Sequence, residues 1–128
     1  MRRKKDPTAP EGLAAERLPD GRIRLWFYGD VEDEELVVDA LELAEALARL
    51  EVPGYPTMSP EDLEDEPDDA PNYYTADVAV FEPIEGVLVL RRVKVPGPDL
   101  LEFNTPSGSV YEFPFRQTVE YLRRFLPR

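Results

Sequence analysis

The chain contains no histidine and no cysteine among its 128 residues, and those two absences close most familiar catalytic plans. Without imidazole there is no Ser-His-Asp or Cys-His arrangement and no His-ligated metal. Without thiols there are no disulfides, no thiolate nucleophile and no zinc or iron-sulfur site built on sulfur, which fits a reducing compartment. Lysine is scarce as well, limited to Lys4, Lys5 and Lys94. No apolar run reaches the roughly 20 residues of a membrane span, and no apolar stretch follows the basic start MRRKKDPTAPEG as a secretory signal would require. The expectation is a cytoplasmic protein with no membrane association, no metal, no cofactor and no catalytic residues.

Carboxylates, by contrast, are abundant and segregated. The net charge is -12, yet residues 1–24 hold seven Lys/Arg against four Asp/Glu, and residues 70–128 hold seven against seven. Residues 25–69 hold sixteen Asp/Glu against the single Arg49. A field this one-sided repels nucleic acid and anionic lipid and attracts a basic surface.

The length suits one domain with one core. Residues 1–12 mix charge, Pro and Gly without apolar periodicity and read as a flexible basic arm. The domain is expected over residues 13–128. Leu13 to Leu18 and Arg22 to Tyr28 flank the turn Pro19-Asp20-Gly21, with Ile23, Leu25 and Phe27 on one face of the second strand. That strand is also apolar on its other face near its end, which predicts a central place in the sheet.

The spacing of Leu36, Ala40, Leu43, Leu47 and Leu50 predicts a helix over 31–51, capped by Asp30, with Leu36, Leu43, Leu47 and Leu50 buried against the sheet. Glu32, Asp33, Glu34 and Glu35 would crowd its first turn, and Asp39, Glu42 and Glu45 would extend an acidic outer strip with almost no internal partner. Residues 52–74 form a long Pro-rich acidic loop containing Glu61, Asp62, Glu64, Asp65, Glu66, Asp68 and Asp69, with Tyr55, Tyr73 and Tyr74 as recognition candidates.

Beyond the loop, strands flank the turns Pro83-Ile84-Glu85-Gly86 and Thr105-Pro106-Ser107-Gly108, and helical spacing resumes from Arg116. The fold class is therefore α+β: an antiparallel sheet of about five strands, one long acidic helix on a face and a short C-terminal helix.

Specific chemistry is poorly matched. The 61–69 cluster lacks the Gly and Glu placement of a calcium-binding EF-hand loop. A nuclease pattern starting from Asp77 fails because Arg92 stands where a carboxylate is needed, two residues before Lys94. Phosphate-binding Gly-rich motifs are absent.

The leading expectation is an acidic protein-interaction module, an inhibitor or accessory subunit, that docks on a basic partner surface through Glu32, Glu35, Asp39, Glu42, Glu45, the 61–69 carboxylates and Tyr55, Tyr73 and Tyr74. In its sharper form it is a nucleic-acid mimic whose partner is a nucleic-acid-binding protein, with no direct nucleic-acid binding of its own. The alternatives are a structural subunit of a larger assembly and a carboxylate-based enzyme. Oligomeric state is not legible in the sequence.

Overall fold

A computed structural model of the chain describes residues 8–29, 32–51, 73–94 and 97–127. Among these residues are seven strands and two helices: β1 (Leu13–Arg17), β2 (Arg22–Tyr28), β3 (Asp33–Asp39), α1 (Ala40–Glu51), β4 (Tyr73–Glu82), β5 (Gly86–Val93), β6 (Leu100–Asn104), β7 (Val110–Pro114) and α2 (Phe115–Arg123). The strands pair in sequence order as one antiparallel meander, interrupted between β3 and β4 by α1. The fold is α+β, but the sheet has seven strands rather than about five. Among the described residues, no helix is long and apolar enough to cross a membrane.

The strict apolar alternation of β2 places Ile23, Leu25 and Phe27 in the core, and β2 lies between β1 and β3 as its two-sided character predicts. The β1–β2 turn is closed by Leu18 N–H donating to Arg22 O at 2.8 Å, with Gly21 at φ 88° where a side chain would be strained.

The helix expected over 31–51 begins only at Ala40, because residues 33–39 form β3. Within β3, Leu36 faces the same interior as Leu25, its register partner. The cap is Asp39, not Asp30: its Oδ2 accepts the Glu42 N–H at 2.8 Å. Two β-branched residues, Val37 and Val38, precede that cap, and they pack on both faces of a pleated strand more readily than in a helix.

The sheet coils. Phe27 of β2 stacks on Tyr111 of β7 with centroids 4.7 Å apart, although four strands separate them in the sheet order. Phe103 completes the cluster 5.1 Å from Phe27. The result is an incomplete barrel whose concave side is filled by the apolar faces of α1 and α2. Leu36, Leu43, Leu47 and Leu50 are buried in one cluster with Ile23, Leu25 and Phe27. At the end where α1 finishes, Arg92 turns inward. It donates to Leu50 O and Asp99 Oδ2, both at 2.8 Å, and lies over the Phe115 ring at 4.2 Å. The cation thus meets a carbonyl that the helix itself leaves unsatisfied.

Of the arm expected over 1–12, residues 8–12 are described, and they are tied to the domain. Pro10 is buried, Thr8 Oγ1 accepts from Arg124, and Gly12 O accepts the Tyr28 N–H at 2.9 Å. Residues 1–7 and most of the acidic loop lie outside the described residues.

Candidate functional site

Between the two ends of the meander runs an open groove of about 580 Å³. One wall is β7 with the residue before it, Ser109 to Phe113. The other is formed by Glu11 and Gly12 ahead of β1, and by Tyr28, Gly29 and Glu32 at the β2–β3 connection. The groove is therefore the seam where the coiled sheet fails to close. Glu11, Glu32 and Glu112 are all exposed along it, on both walls, and Tyr28 and Tyr111 also belong to its lining. No Lys or Arg lines it among the described residues. These carboxylates ring the groove instead of converging: among the described residues no three acidic side chains are placed to hold a metal ion.

Beneath the groove lies a buttress built on Glu34. Its register partner on β2 is Phe27, so its side chain points to the interior side of β3. Three hydroxyls from the β6–β7 hairpin reach it: Tyr111 Oη donates to Oε1 at 3.1 Å, Thr105 Oγ1 donates to Oε1 at 3.3 Å, and Ser107 Oγ lies 3.0 and 2.9 Å from the two carboxylate oxygens. Hydrogen bonds to a charged acceptor are the stronger kind, and here they fasten β3 to a hairpin far from it in sequence. Burial holds the Tyr111 phenol above its ordinary value of 10.0, and the negative charges of Glu34 and Glu32 push the same way against a hydrogen bond with Ser109 that lowers it. Tyr111 is accordingly a neutral donor at physiological pH, a support for the groove and not a base.

The acidic residues singled out in the sequence scatter. Glu32 lines the groove. Glu35 is exposed on the opposite face of β3, where its Oε1 stands 2.7 Å from Arg24 Nε, so the strip expected to lack internal partners has one across the sheet. Asp39 is occupied in capping α1, Glu42 sits in the first turn of that helix, and Glu45 is exposed farther along it. Tyr73 and Tyr74 begin β4, in register with Val93 and Arg92. Tyr55, Glu61, Asp62, Glu64, Asp65, Glu66, Asp68 and Asp69 lie outside the described residues.

Glu11 and Glu112 join Glu32 although 101 positions separate the two in sequence. Only the coiling of the sheet brings them together. The one local signal was the strand Val110 to Pro114, where Glu112 falls on the solvent phase.

A scan against protein-family models, a search of curated proteins and a search of solved structures each find no match to this chain.

Proposed function

We propose that the chain is a small acidic protein-interaction module, an inhibitor or accessory subunit, that docks on a basic partner surface. The observation that carries this reading is the groove with carboxylates on both walls and no cation in its lining among the described residues. Like charges gathered around one concavity repel each other, and a partner that brings cations relieves that repulsion on docking. Tyr28 in the lining adds an aromatic residue of the amphipathic kind that suits recognition. The sixteen carboxylates of residues 25–69 extend the same field. In its sharper form the partner is a nucleic-acid-binding protein, whose phosphate-binding cations would meet carboxylates instead.

The test is capture of partners from lysate on the immobilised chain at low salt, compared with the triple variant Glu11→Lys, Glu32→Lys, Glu112→Lys. All three positions are exposed, so the variant should keep its fold. Partners held by the wild type should be released toward 1 M salt, where screening shortens to about 3 Å, and should be missing from the variant. Equal capture by both proteins would overturn the docking reading. Displacement of the captured partner by duplex DNA would select the mimic form.

A further inference from the structure

The meander leaves β1 and β7 as the edges of the sheet, and hydrogen-bond phase decides what each edge presents. On β7 the phase is set by Thr105 N–H donating to Ser109 O at 2.9 Å. Alternate pairs in an antiparallel ladder exchange hydrogen bonds, so Tyr111 and Phe113, in register with Phe103 and Leu101, direct their backbone groups to β6. Val110 and Glu112 therefore direct their N–H and C=O groups the other way, toward the groove. No strand lies beyond β7 among the described residues.

We infer that this edge is a strand-addition site: an extended basic segment of a partner protein pairs with Val110 and Glu112 as an eighth strand. The inference rests on the docking reading above and names the form of the partner. Four backbone groups along one side of the groove supply sequence-independent binding, in the manner of peptide recognition by β-augmentation. Val110 is 53 % exposed although apolar, and an added strand would give it a second cross-strand neighbour on the side away from Asn104. Charge fixes the chemistry of the occupant. An extended chain alternates its side chains between two faces, so one set would lie beside Val110 and Glu112 on the convex face. Lysines or arginines at the groove would meet Glu11, Glu32 and Glu112, whereas an acidic strand would be repelled.

The experiment uses the whole chain and a synthetic octapeptide alternating lysine and valine. Its control is an analogue of identical charge, N-methylated at alternate residues so that the edge turned toward β7 cannot donate. Binding and residue-resolved amide exchange are both measured. The unmodified peptide should slow exchange of the Val110 and Glu112 amides, and the N-methylated analogue should bind at least about tenfold more weakly. Val110→Pro, which removes one edge donor without altering charge at a position where edge strands tolerate proline, should weaken the unmodified peptide similarly. If both peptides bind alike and Val110→Pro changes nothing, strand addition is overturned while salt-dependent docking on carboxylates stands. If neither binds, strand addition is overturned, and the lysate capture decides the docking reading separately.

Discussion

The two edges of this sheet receive opposite treatment. Along β1, Tyr28 N–H donating to Gly12 O and Leu18 N–H donating to Arg22 O set a phase in which Leu13, Ala15 and Arg17 turn their amides away from β2. Those of Leu13 and Ala15 are satisfied. Ala15 N–H donates to Tyr121 Oη of α2 at 3.1 Å, and Leu13 N–H donates to Pro10 O at 3.2 Å. That second bond closes a turn with Gly12 at φ 92°, which takes the chain out of the strand direction before it can pair with β7. Natural sheets usually blunt an exposed edge because it invites pairing with another chain. Here one edge is covered by a helix and a turn, and the other is bordered by acid. The difference separates a structural edge from a recognition edge: carboxylates repel the edges of other acidic copies while leaving the backbone open to a basic segment.

Removing the cover of β1 should have the largest effect. Tyr121 is buried in the core, and Tyr121→Ala should destabilise the fold by about 3 to 5 kcal/mol in urea unfolding, because it leaves a cavity as well as an orphaned amide. An unchanged unfolding midpoint would mean that α2 does not close this edge.

The support beneath the groove sharpens the contrast through pH. Since burial raises the folded Tyr111 value above 10.0, the stability it contributes is fully present below that pH and is lost as pH rises through the folded value. Wild-type stability should therefore fall on the alkaline side, and Tyr111→Phe should fall less steeply over the same range. Parallel alkaline curves would contradict a partly buried Tyr111 phenol bonded to Glu34.

Tyr121→Phe keeps the packing and deletes the hydrogen bond from Ala15 N–H, so it should cost about 1 kcal/mol and speed exchange of the Ala15 amide. The smallest effect belongs to the open edge. Val110→Thr should shift stability by no more than about 0.5 kcal/mol, as exposed positions do, and a larger loss would indicate that Val110 is packed in the isolated chain.

Much of the fold was legible where turn chemistry and alternation agree. Asp20-Gly21, Pro83 to Gly86 and Thr105 to Gly108 each mark a hairpin, and the apolar phase of Ile23, Leu25 and Phe27 marks a buried face. β3 was not legible, because Leu36 and Ala40 extend the helical spacing of α1 backward and the carboxylates at 32–35 imitate an acidic first turn. Asp39-Ala40-Leu41-Glu42 carried an equally good cap signature, and the paired β-branched residues before it were the discriminating signal. Of the acidic residues of the groove only Glu32 was legible, since it lies in the carboxylate-rich stretch. The location of the groove was not. A seam between the first and last strands depends on how far the sheet coils, which residue spacing does not encode, so Glu11, Tyr28, Tyr111 and Glu112 had no local mark of belonging together.

The most direct measurement is backbone hydrogen exchange, resolved by residue, on the isolated chain. Outward amides on β7 that no described residue covers, and covered ones at Leu13 and Ala15 of β1, predict an alternating pattern: Val110 and Glu112 exchange quickly, Tyr111 and Phe113 slowly, and Ala15 slowly under its tyrosine. Protection of Val110 and Glu112 equal to that of Tyr111 would contradict an open edge, and with it the strand-addition site.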